Sequence, residues 1–347
     1  VTPDAVAAAL IAGRTPEVGD MIAYWLATDA GSRPKVETVA VLAALSAAPP
    51  EAGRIEAFVR YVRDSYEPVR LPAAARAINI VGTGGGQPTF NISTTAAFVA
   101  AAAGARVLKS GSSAYSSAVG SGDILAALGL SRALPNDRLD EMLDSVGIAF
   151  APASAYAPIC RRLAIAAMPL PFKVIGRFVN LLGPLICPYE VAGAVVGAAD
   201  QGVFDILRRV GRATGQRLLC VHSLLGVDEL LSIGDNRIAW AHLDDEVRLA
   251  GAELGYRAAP LALLQGGTLD HNVEMLKTLL RGQGPVAATE TVALNAGAVL
   301  YAAGRVATLA EGASVARDCI RDGAPHDLLR KAQRFVREVR TVLEAAE

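Results

Sequence analysis

Ile78-Asn79-Ile80-Val81-Gly82-Thr83-Gly84-Gly85-Gly86, continued by Phe90-Asn91-Ile92-Ser93-Thr94-Thr95 and an alanine-rich apolar run, reads as strand, glycine loop and helix. Glycines open backbone conformations closed to other residues and let a ligand approach the main chain. Asn91, Ser93 and Thr94 put short polar groups where a helix exposes unpaired N–H donors. Such a helix start is an anion site.

A second polar loop follows at once. Arg106-Val107-Leu108-Lys109 reads as a short strand, and Ser110-Gly111-Ser112-Ser113-Ala114-Tyr115 leads on to Gly120-Ser121-Gly122-Asp123. Two strands then deliver two phosphate-friendly loops to one sheet edge. Either loop alone is matched by any glycine- and serine-rich connection of an α/β domain; together they point to a large anionic ligand. Lys109, at the mouth of the second loop, would set its ammonium opposite the first.

The chain has 347 residues, 52% of them hydrophobic and 19% charged, enough for one large domain with an appendage. A formal net charge of -1 gives no global attraction for nucleic acid or an anionic membrane. The four cysteines, Cys160, Cys187, Cys220 and Cys319, form no C-x-x-C pair, so a zinc or disulfide framework is not expected. Val1-Thr2-Pro3-Asp4 lacks the character of a signal peptide, and each long apolar run is broken before membrane-spanning length. The expectation is a soluble, cytoplasmic protein.

Residues up to about Tyr66 carry helical spacing only, in stripes at Val6–Leu10, Ile22–Leu26, Val36–Leu45 and Ile55–Val62. Glu67 to Pro72 reads as an extended link. Beyond it strand and helix alternate as in a parallel sheet, with strands over 147–150, 189–196 and 217–222 and helices over 136–146 and 204–213. A hairpin is expected at 237–249, and helices fill the remainder. The stretch from Ala151 to Pro188, with six prolines, yields no simple assignment.

At Val221-His222-Ser223-Leu224-Leu225-Gly226-Val227-Asp228-Glu229 a buried-looking strand ends in a loop, and two adjacent acids open what reads as a helix. Paired acids at the C-terminal end of a strand suit Mg²⁺, which takes few protein oxygens and completes its shell with water and ligand phosphates. The plain alternative is first-turn acids complementing a helix dipole. His222 lacks an accompanying nucleophile elbow and is assigned no catalytic role.

Taken as an ordered set, Gly82-Thr83-Gly84-Gly85, Phe90-Asn91-Ile92-Ser93-Thr94, Lys109 with Gly111, Gly120-Ser121-Gly122-Asp123, Asn180-Leu181-Leu182-Gly183-Pro184, Asp228-Glu229, Gly266-Gly267 with Asn272, and Leu294-Asn295-Ala296 with Leu300-Tyr301 resemble the anthranilate phosphoribosyltransferase family over nearly the whole chain. The resemblance implies a small helical domain (residues 1–66), usually the dimer interface. It implies a large α/β domain (73–347) with a mainly parallel central sheet of the nucleoside phosphorylase and phosphoribosyltransferase type. It further implies that Gly82, Thr83, Gly84, Gly85, Asn91, Ser93, Thr94, Lys109 and Ser121 hold phosphoribosyl diphosphate. Ser93, Asp228 and Glu229 would surround Mg²⁺, and the protein would be a homodimer that transfers phosphoribosyl to a small aromatic acceptor.

Departures from the family pattern gather on the acceptor side. Gly86 stands where an acid is usual, and Lys109-Ser110-Gly111-Ser112-Ser113 replaces the usual Lys-His-Gly-Asn-Arg. The arginine expected to hold the anthranilate carboxylate has no clear counterpart. The acceptor-binding candidates are Ser110, Gly111, Ser112, Tyr115, Arg161, Arg162, Asn180, Gly183 and Pro184, with Lys173 and Arg177 as further basic neighbours. These departures predict poor use of anthranilate and better use of another aromatic acid, such as an aminobenzoate isomer or a hydroxybenzoate. Two other classes share the resemblance: a non-catalytic nucleic-acid-binding relative, which salt-sensitive DNA binding would reveal, and a nucleoside phosphorylase, which phosphate-dependent nucleoside cleavage would reveal.

Overall fold

The computed structural model describes residues 2–110, 119–130, 134–168, 170 and 172–344. Four helices come first: α1 (Pro3–Ile11), α2 (Val18–Asp29), α3 (Lys35–Ala47) and α4 (Ala52–Ser65). The strands are β1 (Ala77–Gly82), β2 (Arg106–Lys109), β3 (Ile148–Phe150), β4 (Gly193–Ala198), β5 (Leu218–Ser223), β6 (Asp235–Trp240) and β7 (Val247–Ala250). Between the strands lie α5 (Ile92–Ala102), α6 (Ser121–Ala127), α7 (Asn136–Ser145), α8 (Pro158–Ala167), α9 (Phe172–Leu182) and α10 (Gln201–Ala213). After β7 come α11 (Leu269–Leu280), α12 (Val286–Ala302), α13 (Leu309–Arg321) and α14 (Ala324–Glu344).

The strands form one sheet in the order β3-β2-β1-β4-β5-β6-β7, parallel from β3 to β5 and antiparallel across β6 and β7. The expected mainly parallel sheet is therefore present. All six residues of β4, Gly-Ala-Val-Val-Gly-Ala, are buried, as a strand covered on both faces requires. From β1 the chain proceeds to β2 on one side, and from β4 to β5 on the other. The C-terminal ends of β1 and β4 thus flank the point where the winding reverses, the place where open α/β sheets leave a crevice.

One face of the sheet packs on α5, α12 and their neighbours; α12 is mostly apolar, and most of its residues are buried. The other face, with Val196 and Cys220, shares a core with α10, α8, α9 and the N-terminal helices. At the centre of that core Trp25 stacks on Phe178 of α9 with centroids 6.1 Å apart and meets Phe58 edge-on at 5.0 Å. The link after α4 is stitched to the sheet domain: Val69 N–H donates to the Pro188 carbonyl at 2.8 Å, and Glu190 N–H to the Val69 carbonyl at 3.0 Å.

Three local expectations are corrected. The stretch from Ala151 to Pro188 holds two helices, because Pro158 stands in the first turn of α8, where its missing N–H costs nothing. Strand β4 starts at Gly193 rather than near Tyr189, which makes only an isolated bridge to Val69. Asp228 and Glu229 do not open a helix; they sit in a bend between β5 and β6. First-turn dipole compensation therefore does not explain the pair.

Candidate active site

The glycine loop leaves β1 at the crevice. Gly84 and Gly85 have φ of 69° and 85°, in the left-handed region that favours glycine, and Thr83 N–H donates to the Gly197 carbonyl of β4 at 3.0 Å. Asp228 lies across the end of both strands. A Cβ on Gly82 would stand 1.9 Å from Asp228 Oδ2, and one on Gly197 1.5 Å from the Asp228 carbonyl oxygen. These two glycines make room for the acid bend. Gly84 N–H in turn donates to Asp228 Oδ2 at 2.7 Å, joining the loop to the acid.

A small cavity at this junction is lined by Gly82, Ser93, Gly197, Asp228, Glu229 and Asn295, among others. Ser93 reaches it from the first turn of α5, and Lys109, at the end of β2, lies behind Ser93. The Lys109 ammonium donates to the Ile80 carbonyl at 2.9 Å and to Ser93 Oγ at 3.2 Å, so β1, β2 and α5 are strapped together by one buried cation. Burial raises both carboxyl pKa values, and Glu229 is pushed well above the ordinary range because the Asp228 carboxylate adjoins it. The Gly84 N–H bond and Lys109 oppose the rise at Asp228, and Lys109 opposes it at Glu229.

Two half-buried carboxyls near one lysine leave unused acceptor capacity. Glu229 Oε2, Thr83 Oγ1 and Thr94 Oγ1 are buried and meet no hydrogen-bond partner among the described residues. No cluster of three or more His, Cys, Asp or Glu side chains suited to a metal is found among those residues. Two carboxylates and a hydroxyl therefore fit a hard cation that takes most of its oxygens from water and a ligand, as Mg²⁺ does, better than a fully protein-coordinated metal.

Asparagines that the sequence reading left without a role hold the site together. Asn295 of α12 accepts from Leu230 N–H at 3.1 Å and donates to the Leu230 carbonyl at 2.7 Å, clamping the residue after Glu229. Asn236 of β6 holds Leu231 in the same two-sided way, at 2.8 and 3.0 Å. Asn79 of β1 donates to Ser110 Oγ at 2.7 Å and accepts from Ser110 N–H at 3.0 Å. A polar residue within the apolar run Val292-Ala293-Leu294-Asn295-Ala296 is the signal that marks Asn295 in the sequence.

The first loop, Ser93, Lys109, Asp228 and Glu229 thus converge, while Asn91 sits at the N-cap of α5 and Ser121 begins α6 beyond the second loop. The acceptor candidates do not join them. Ser110 is buried and turned toward Asn79, and Gly111, Ser112, Ser113 and Tyr115 lie outside the described residues, as does the Lys173 side chain. Arg162 pairs with Asp29 of α2, its Nε 3.3 Å from Oδ1. Arg161, Asn180, Gly183 and Pro184, on α8, α9 and the turn after α9, make no hydrogen bond to the glycine loop among the described residues. His222 donates from Nδ1 to the Ala198 carbonyl at 2.9 Å, a bond that fixes β5 to β4.

Comparison with known proteins agrees with this architecture. The model of a glycosyl transferase family, a/b domain, matches residues 74–326. The anthranilate phosphoribosyltransferase of Thermus thermophilus is 35% identical over 337 residues, 96% of this chain and 99% of the relative. That of Synechococcus elongatus is 34% identical over 325 residues, 91% of this chain and 90% of the relative. The crystal structure of the Thermus thermophilus enzyme superposes with a TM-score of 0.83 at 33% identity, covering 96% of this chain and 99% of that one. The Saccharomyces cerevisiae enzyme, solved in complex with PRPP and Mg, shares the fold at a TM-score of 0.81 and 20% identity, covering 97% of this chain and 98% of that one.

Proposed function

Because the chain belongs to the anthranilate phosphoribosyltransferase family, we propose that it transfers the 5-phosphoribosyl group from phosphoribosyl diphosphate to a small aromatic acid and releases diphosphate. The observation that carries this reading is the convergence of a glycine loop, a polar helix start and a buried acid pair at one crevice. In this reading the loop from Gly82 to Gly85, with Asn91, Ser93, Thr94, Lys109 and Ser121, binds the diphosphate. Ser93, Asp228 and Glu229 would hold Mg²⁺, which would supply neutralisation of charge on the departing diphosphate.

The chemistry asks little else of the protein. Displacement at C1 of the ribose passes through a cationic sugar, so catalysis lies in stabilising the leaving group and placing the nucleophile. The N–H groups of the loop and the Lys109 ammonium are donors suited to the first task, and Lys109 is already fixed by Ile80 and Ser93.

The names of the relatives favour anthranilate as the acceptor. A second reading, another aromatic acid, is favoured by the serines at 110, 112 and 113 and by the engagement of Arg162 with Asp29. Serines hydrogen-bond but do not replace a guanidinium's charge. Steady-state assays with a panel of aromatic acids separate the two: anthranilate turnover at a kcat/KM of about 10⁴ M⁻¹s⁻¹ or better would establish the first.

We also propose a homodimer formed through the N-terminal helices, with residues 1–66 as the dimerisation unit. Four free cysteines and no disulfide accord with a cytoplasmic enzyme. No helix among the described residues is long and apolar enough to cross a membrane.

Calorimetry with phosphoribosyl diphosphate, with and without Mg²⁺, tests the central reading. Binding should require the cation. Asp228→Asn combined with Glu229→Gln removes two charge-assisted contacts, so the affinity should fall on the order of a hundredfold or more. Unchanged affinity in the double variant would sink the metal assignment.

A further inference from the structure

We propose that Asn272 is a positioning residue for substrate binding: it fixes the orientation of the Asn91 side chain and so turns Asn91 into a hydrogen-bond donor toward the diphosphate. The inference rests on the reading of the helix start as the diphosphate site. It comes from a chain of three hydrogen bonds that ties the loop before α11 to the start of α5 and to the end of the second loop.

Gly267 N–H donates to Asn272 Oδ1 at 2.8 Å, Asn272 Nδ2 donates to Asn91 Oδ1 at 3.1 Å, and Asn91 Nδ2 donates to the Val119 carbonyl at 3.3 Å. The two ends give the chain its direction. A backbone N–H only donates and a carbonyl only accepts, so Gly267 requires an oxygen from Asn272, and Asn272 must then offer its amide nitrogen to Asn91. Asn91 is left with its oxygen occupied by Asn272 and its NH₂ as the end that donates, here to the Val119 carbonyl. Reversing any one amide would set donor against donor or acceptor against acceptor.

Two further observations separate this arrangement from ordinary packing. Asn91 occupies the N-cap of α5 yet makes no capping bond to its own helix, the usual employment of asparagine there. Its amide is engaged instead by Asn272 and Val119, outside its own helix. In addition, the segment before α11 is pressed onto the first loop: a Cβ on Gly266 would lie 2.5 Å from the Thr89 carbonyl oxygen, and Phe90 N–H donates to the Leu264 carbonyl at 2.9 Å. Asn272, itself buried, is thereby held at a fixed distance from the helix start. The longest bond of the chain, to Val119, is the one an incoming phosphate oxygen would replace, since a charged acceptor outcompetes a carbonyl.

A double-mutant cycle tests the proposal, with magnesium diphosphate as the probe and calorimetry as the readout. Asn91→Ala and Asn272→Ala should each weaken diphosphate binding by about tenfold to 150-fold, the range of one hydrogen bond to a charged group. The double variant should be no weaker than Asn91→Ala, because Asn272 acts only through Asn91. A purely structural role would instead lower the melting temperature and give additive losses of affinity. Asn272→Asp, nearly isosteric, repeats the cycle if the alanine variant does not fold; a charge effect unrelated to Asn91 would survive in the Asn91→Ala background. In steady-state assays KM for phosphoribosyl diphosphate should rise in Asn272→Ala while KM for the acceptor stays constant. Additive losses, or wild-type affinity in the Asn272 variants, would overturn the proposal. Failure of the wild-type protein to bind magnesium diphosphate would instead remove the functional reading, and the proposal with it.

Discussion

A carboxyl buried beside another carboxylate either keeps its proton or takes a cation, and Glu229 is in that position. The consequence for stability has a definite sign. Below the ordinary value of 4.5 the group is protonated in both folded and unfolded chains; above it the unfolded chain releases the proton and the folded one retains it. Metal-free protein should therefore lose stability as pH rises from 4.5 toward the raised value of the folded state. Glu229→Gln, uncharged throughout, should lack this component. Melting curves in EDTA between about pH 5 and 8 check it: the wild-type melting temperature should fall relative to the variant's as pH rises, and parallel profiles would refute the buried-proton account. Asn295 is the second pressure point at this scale. Its truncation to alanine strands the N–H and carbonyl of Leu230, which should cost about 2–4 kcal/mol in urea unfolding and loosen the acid bend. The site was legible where its chemistry is local, in Gly82-Thr83-Gly84-Gly85 and Asp228-Glu229. It was not legible where partners are remote: Asn272 meets Asn91 across 181 residues, and Asn295 meets Leu230 across 65.

Elements are legible when periodicity and breakers agree, as in the N-terminal helices and the β6–β7 hairpin. They are obscured when breakers sit at helix ends. Pro158 looks like an interruption and is in fact part of the first turn of α8. The acid bend misleads in the opposite sense: Asp228 and Glu229 look like helix-opening residues, yet Asn295 and Asn236 hold the backbone that follows in an irregular path. One inter-element contact yields a direct test. Helices α12 and α13 cross at Gly297 and Gly312, where a Cβ on Gly297 would lie 2.5 Å from Ala313 N and one on Gly312 2.6 Å from the Gly297 carbonyl oxygen. Neither obstruction is a flexible side chain. Gly297→Ala should thus cost about 1–3 kcal/mol by forcing the helices apart, read from the shift in urea midpoint at constant slope. Because α12 also carries Asn295, Mg²⁺-dependent ligand affinity should weaken in the same variant, whereas an exposed substitution such as Val315→Ala on α13 should leave both unchanged.

At the scale of the whole molecule the distribution of exposed apolar surface bears on assembly. Of fourteen exposed large hydrophobic side chains among the described residues, six belong to the N-terminal helices and to α8 and the residues after it: Ile11, Leu26, Val36, Ile165, Met168 and Leu170. These segments already bury a full core, including Trp25, Phe58 and Phe178, so the six are surplus to folding. Single exposed apolar residues need no explanation, but a concentration on the N-terminal helices and the α8 segment that shares their core suits an interface. A homodimer built there would need to bury roughly 1,200–2,000 Å² in total to be stable. It would leave the crevice at the C-terminal ends of β1 and β4 to each subunit separately. Sedimentation at micromolar concentration should give twice the chain mass. Val36, 77% exposed, offers the sharpest probe, since glutamate there should change the stability of an isolated chain by no more than about 0.5 kcal/mol. In a dimer the same charge would be buried without a partner and should drive dissociation. Val36→Glu with Leu26→Glu is thus expected to sediment as a folded monomer, and a variant that remains dimeric would move the interface to another surface.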